Sequence, residues 1–506
     1  MKTTRILCLL LSLVLCLGVL ASCNGGGGNT GGGERGEDGS WAGVDFDGQE
    51  VRLCVSAHQT PECNFPAADI YTKGPDTAGT NDVAKEVLAR NKAAEETLNI
   101  KVIYDTRNLY YDAAIEDVQS IVMTAGTKNS PDVYNNDLAS LAYSMVSGYL
   151  WNVKNPGEGI KNYFDFSKDG WYEEYIKGCT FDQDKYYIFA GDYFIDMIRM
   201  AWVIYVNNDI LGANVEALRG ALGVKDANDF YDYVKDGLWD MDALAKLSNA
   251  VFVDGWRGFL GTTEETDETV GFVYVNNSNW AFSAGSGITL YYQDENYEPK
   301  VMQDFSKFQL VANKFQNLTQ TTGVLKLAQP QDATTAFLRG NLLFAISRLG
   351  EMESQALREF KSAKGLVPIP KWNYQEQDEY LTTLHDQVEI GTILNTASAF
   401  SASSALMQYL NEESEKVVYT YYEKGLKFKY NDDKNNRAMM DLIRDTVASP
   451  FGYCIGDHCQ ALYTGAGVLK GMYITDKNLS STFASEKDAY NDCMAKMIER
   501  FETLLK

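Results

Sequence analysis

The side chains of this chain that could do chemistry are carboxylates, amides, rings and thiols, and they do not form a hydrolytic set. The sequence contains no G-x-S-x-G elbow, no phosphate-binding loop and no H-E-x-x-H pair. Its three histidines, His58, His385 and His458, stand in no metal-binding spacing, and no C-x-x-C occurs, so no metal and no cofactor is expected. A glycosidase would need two carboxyls about 5 to 9.5 Å apart across a cleft. The densest acidic run, Glu264-Glu265-Thr266-Asp267-Glu268, reads as a solvated loop instead. What remains are polar groups near expected strand ends: Ser56 and His58 in one place, Asn135, Asn136 and Asp137 in another. Amides, a hydroxyl and a carboxylate can hydrogen-bond a polar solute; they also suit turns and the cap of a helix beginning at Leu138.

The elements that position them follow from hydrophobic period. Residues 50–57 place Val51, Leu53 and Val55 on one face of a strand. Thr80-Asn81-Asp82 offer capping oxygens to a helix whose apolar positions are Val83, Val87, Leu88, Ala94 and Leu98, and Asn99 ends it. Residues 100–104 form a second strand, 112–125 a second helix, and 131–134 a third strand. Strand and helix alternating in this way predict a doubly wound parallel α/β sheet, with ligands beyond the carboxyl ends of its strands.

Composition narrows the class. With 45 basic and 69 acidic residues the net charge is −24, a surface that repels nucleic acid and anionic lipid. Lys2 and Arg5 precede an apolar run over 6–22, which is too short for a bilayer span of about 20 residues but has the form of a secretory signal. Leu20-Ala21-Ser22-Cys23 follows, then a glycine-rich stretch over 24–40 that can bury nothing and reads as a flexible tether. Small residues before a cysteine at the end of such a run resemble the lipobox of bacterial lipoproteins. The resemblance implies removal of 1–22, lipidation of Cys23 (the palmitate-bearing type of anchor) and an extracytoplasmic position at the cell membrane. In an oxidising exterior Cys54 with Cys63 and Cys454 with Cys459 are close enough in sequence for local disulfides; buried free thiols are the alternative.

A series of motifs then resembles the family 1 extracellular solute-binding proteins of ABC importers, the maltose-binding type. Thr180 to Phe189 with Ala190-Gly191-Asp192-Tyr193 resembles the family's crossing strand, and Tyr205-Val206-Asn207-Asn208-Asp209-Ile210-Leu211 its "YNKDLL" segment. Gly237-Leu238-Trp239-Asp240-Met241-Asp242 resembles "GxWTxD", with Asp240 in place of the capping threonine. Phe337-Leu338-Arg339-Gly340-Asn341, Gly365-Leu366-Val367-Pro368-Ile369-Pro370 and Ala405 to Ser414 match later motifs in the family's order. The chain is longer than the familiar members and lacks several of their tryptophans.

The resemblance implies a two-lobed fold with three crossovers and a ligand cleft between the lobes. Crossings are expected near Gly191, Asp332 and Val388, giving a first lobe of 41–191 plus 332–388 and a second of 192–331 plus 389–506. It implies no catalysis. A monomer would close about a hinge on a small polar solute, a mono- or oligosaccharide, and deliver it to an importer permease. The alternatives are a lipid-anchored surface glycan-binding protein or a glycosidase. By the same resemblance Asp192, Tyr193, Ser347, Arg348, Trp280, Phe451 and Tyr453 join Ser56, His58, Asn135, Asn136 and Asp137 as candidate ligand contacts.

Overall fold

The computed structural model describes residues 31–504 apart from 59–65, 76–80, 125–126, 128, 255–267, 276–277, 328–329, 430–432 and 456–478. The expected signal, Cys23, Cys63, Cys459 and most of the 264–268 acidic run lie outside the described residues. So do the side chains of Tyr453 and Cys454.

Eleven strands are described: β1 Gln49–Ser56, β2 Ile100–Arg107, β3 Val133–Asp137, β4 Trp202–Asn207, β5 Val270–Val275, β6 Tyr291–Gln293, β7 Pro299–Val301, β8 Val324–Leu327, β9 Leu342–Arg348, β10 Lys364–Pro368 and β11 Glu389–Ile393. The first sheet has the order β11-β3-β1-β2, with β1 parallel to β2 and β3 and β11 antiparallel to β3. Helix Asp82–Leu98 joins β1 to β2, capped where the sequence predicts: the Asn81 side chain accepts from the Val83 amide, and Asn99 turns left-handed at φ 47°. Val51, Leu53 and Val55 are fully buried, and the expected βαβαβ unit is present. The third strand runs further than predicted, so Asn135, Asn136 and Asp137 are its last residues rather than the loop beyond it.

The second sheet has the order β10-β4-β9-β5-β8. This corrects the expected lobe composition. Residues 332–388 do not rejoin the first sheet, because β9 lies antiparallel to β4 with Trp202 opposite Arg348 and parallel to β5, while β10 covers the other side of β4. Residues after 388 do not all follow the second sheet either, since β11 pairs with β3 and helix Phe400–Glu412 packs on helix Asp82–Leu98 and β1. The chain crosses between sheets over 192–201, returns over 384–388, and crosses a third time between helix Glu415–Val418, packed on Asp82–Leu98, and helix Lys434–Asp445, packed on β10. No crossing occurs at Asp332. The first two crossing segments run antiparallel and touch, through bridges Phe189 to Gly391 and Ala201 to Leu384. Gly391 is required there: a Cβ would come within 2.2 Å of the Phe189 ring.

Two further expectations change. Cys54 is a free, buried thiol, so no bridge to Cys63 forms; Cys179 is also free, whereas Cys493 is disulfide-bonded. The second half of the presumed tether is docked. Arg35 forms a bidentate pair with Glu412 and lies 4.0 Å over the Trp41 ring, and Tyr163 donates to the Gly33 carbonyl. Glycines let the backbone approach, but Arg35 and Trp41 supply the attachment. No helix among the described residues is long and apolar enough to cross a membrane.

Candidate functional site

A small cleft, with room for about one water between its side chains, opens where the carboxyl ends of β1 and β3 meet the two antiparallel crossing segments. The first sheet contributes Ser56, His58, Asn136 and Asp137; the first crossing contributes Asp196, Arg199 and Met200; the returning segment contributes Gln387 and Glu389. Tyr110, stacked 3.8 Å from the His58 ring, completes one side. Four of the five residues predicted from strand-end geometry therefore come together here. Asn135 does not; it lies further from the carboxyl end of β3 and is fully buried.

Each lining group is held by its own element. Asp137 caps helix Leu138–Val146 through the Ser140 amide at 2.7 Å and takes the Tyr111 amide at 3.0 Å. Burial, with the repulsion of Asp386 added, raises its carboxyl to about 6 against the two amides that lower it. Glu389 pairs in register with Asp137 across β11 and β3, and its Oε1 accepts from the Ser56 amide at 3.0 Å. Burial first, then Asp196, pushes the Glu389 carboxyl well up. Asp196 accepts from Arg199 at 3.0 Å and from the Glu389 amide at 3.2 Å; burial raises it, and Arg199 opposes that rise. Burial lowers the His58 imidazole.

Arg199 organises the floor. Its guanidinium, wholly buried, pairs with Asp196 and with Glu353 at 2.9 Å, donates to the Pro66 carbonyl and lies 4.7 Å over the Tyr71 ring. Glu353 in turn accepts from the hydroxyls of Tyr71 and Tyr421 at 2.6 and 2.7 Å. Asp196, Arg199, Gln387 and Glu389 were not among the sequence candidates. The available signal was a charged pair three residues apart inside the apolar run Phe194-Ile195-Asp196-Met197-Ile198-Arg199-Met200, and a lone Glu389 between Val388 and Ile390.

The remaining candidates sit elsewhere. Trp280 and Arg348 pack at the edge of the second sheet around Trp202: the Arg348 guanidinium lies 4.1 Å over the Trp202 ring, and Trp280 meets that ring edge-on at 5.7 Å, with His385 5.7 Å from both. Ser347 faces Thr334 at 3.5 Å, fully buried. Tyr193 is core, beneath the Arg90 guanidinium at 4.6 Å. Phe451 packs edge-on against Phe181 at 5.3 Å. Asp192 adjoins a second, larger groove of about 350 Å³ lined by Trp171, Tyr172, Met197 and Arg444; it accepts from Tyr172 at 2.8 Å and lies 3.7 Å from Arg444. Met197 faces this groove while Asp196, Arg199 and Met200 face the cleft, so the turn 196–200 separates the two. Among the described residues no group of acids, histidines and cysteines could hold a metal ion.

Two α/β sheets joined by crossing segments, with a polar cleft at the joint, define the two-lobed periplasmic-binding-protein fold. No protein-family model and no curated protein sequence matches the chain. Among solved structures it is similar to the GacH receptor of Streptomyces glaucescens, solved unliganded and with acarbose, at 12% identity and a TM-score of 0.50 over 90% of this chain and 98% of that one. It is also similar to the galacto-N-biose-/lacto-N-biose I-binding protein of the Bifidobacterium longum ABC transporter, at 13% identity and a TM-score of 0.49 over 87% and 98%. The first of these likenesses extends over nearly the whole chain and agrees with the fold that the sequence motifs imply.

Proposed function

We propose that this chain is an extracytoplasmic solute receptor, lipid-anchored at Cys23, that closes on a small polar solute, a mono- or oligosaccharide, and presents it to an ABC importer permease. The observation that carries the reading is the cleft itself. Its lining combines the end of the first sheet with both segments that lead to and from the second, so a solute seated there bears on the joint about which the two sheets would move. Differential contact of that kind is what couples binding to closure. In the arrangement described the side chains leave room for about one water, so a sugar enters only after the walls of the cleft move apart. The fold shared with the GacH receptor, which binds acarbose, supports a sugar.

In this reading the first lobe comprises 41–191 with 389–418 and the second 202–383 with 434–445. The test is thermal-shift screening against sugars, peptides and polyamines, with small-angle scattering on each hit. A solute at 100 times its Kd should add about 2.7 kcal/mol to stability and shrink the radius of gyration. Binding without compaction would refute the clamp. Replacing Cys23 with alanine should release the protein from membranes of its native host.

A further inference from the structure

The cleft is one-sided in what it offers a ligand. Asp137, Asp196 and Glu389 bring three buried carboxyls to it, and no lysine among the described residues lines it. The one guanidinium among its described lining, Arg199, is committed to Asp196, Glu353 and the Pro66 carbonyl. Glu389, 3% exposed, is in no ion pair among the described residues, and the amide it accepts is that of Ser56. Gln387, 8% exposed, lines the same cavity with a buried Oε1 that has no hydrogen-bond partner among the described residues. Acceptors without matching donors, beside a carboxyl without a counter-ion, are costly unless a ligand completes them.

We propose that the solute carries a protonated amine beside its hydroxyls and seats that amine against Glu389 and the Gln387 carbonyl. The inference rests on the cleft being the solute site. A neutral sugar hydroxyl can donate one hydrogen bond but leaves the charge of the cluster uncompensated. An ammonium supplies three donors, no acceptor and the missing positive charge. The groups facing Glu389 reinforce this. Burial disfavours its charge and Asp196 and Asp69 repel it, the Ser56 amide and then Arg199 oppose them, Asp137 lies opposite on β3, and burial disfavours a charged His58. Burial and Asp196 thus hold the Glu389 carboxyl above its ordinary range, an arriving ammonium draws it back down, and any proton given up as the ion pair forms goes to solvent.

The experiment is isothermal titration of the purified chain with matched sets on one sugar skeleton: glucose, glucosamine and N-acetylglucosamine; cellobiose, chitobiose and N,N′-diacetylchitobiose; and putrescine as a cation without a ring. The free-amine member should bind at least about tenfold tighter than its hydroxyl and acetamide counterparts. Its binding enthalpy should shift with the ionisation enthalpy of the buffer, reporting the released proton. Glu389→Gln should erase the preference, and Gln387→Glu, which adds a carboxylate without changing shape, should enlarge it. A neutral member that binds as tightly as its amine counterpart overturns the inference and leaves the sugar receptor standing. A preference unmoved in both variants overturns it too. Putrescine binding with every sugar silent would support the amine and remove the sugar. If no amine in the sets binds, the inference is lost, and the neutral library alone decides the receptor function.

Discussion

The two sheets meet the joint with edges of opposite character. The first ends in small and polar side chains, Ser56, His58, Asn136 and Asp137, which leave a cavity between themselves and the crossing segments. The second ends in its own filling: Trp202, Trp280, Arg348 and His385 close on one another just behind Met200 and Gln387. Trp202 and Trp280 are both buried, so neither ring has an open face to stack on a ligand. The difference shows that ring content at a lobe edge does not by itself make a sugar platform; exposure of the ring face does.

The largest effect should come from the filled edge. Trp280 is 5% exposed, and Trp280→Ala removes a core ring, which typically costs about 3–5 kcal/mol. Denaturant unfolding should register that loss while the solute-induced stabilisation of the surviving fold stays within about twofold in Kd. A large loss of affinity with little loss of stability would place Trp280 in the site and erase the contrast between the edges.

At the open edge the expected signature is pH. The Asp137 carboxyl is raised to about 6 in the folded chain, so between roughly pH 4 and pH 6 the folded state holds a proton that the unfolded state has released. That contribution to stability is fully present below the unfolded value near 4 and is lost as pH rises through 6, for a total of about 2–3 kcal/mol. Asp137→Asn keeps a capping oxygen and should flatten the decline. A stability profile unchanged by the substitution over that window would show that the buried carboxyl is not the titrating group.

A smaller effect separates binding from folding. Gln387→Leu replaces a buried amide whose Oε1 lacks a partner by an apolar side chain of similar size, so stability should change by less than about 1 kcal/mol. Solute affinity should fall about tenfold, the loss expected for one hydrogen bond to a polar or charged ligand group. Unchanged affinity would move the solute away from the returning segment and favour the groove beside Asp192.

The fold was more legible than the site. Period-two strands and a capped helix located the first sheet to within a few residues, because those signals are local. The strand-end rule also names Ser56, His58, Asn136 and Asp137, which line one cleft, without knowing any partner. What was lost depended on long-range pairing. Leu342 to Arg348 reads as a strand, but its neighbours β4 and β5 are far away in sequence, and nothing local says which sheet it joins. Residues transferred by motif, Trp280, Ser347 and Arg348, reached an edge of the second sheet but face inward, since a motif carries position and not side-chain environment. Arg199 and Glu389 escaped notice because buried charges are recognisable only once their partners are in place.

The weakest contact bears on how the first edge is carried. Arg35 grips Glu412 through both oxygens, and the Trp41 indole donates to the same carboxylate at 2.9 Å, so the stretch read as a leash is fastened from Gly31 onward to helix Phe400–Glu412 on the first sheet. With side chains about one-fifth exposed and bidentate geometry, the pair should contribute near the upper end of the surface range, about 1 kcal/mol. Arg35→Ala should lower the melting transition slightly, open residues 31–40 to proteases and leave solute affinity unchanged, because Arg35 does not line the cleft. If an anchor holds Cys23, this fastening would fix the lobe with the polar edge near the membrane and leave closure to the lobe with the filled one. Protease resistance unchanged in the variant would mean that other bonds, such as Tyr163 to the Gly33 carbonyl, hold the segment alone.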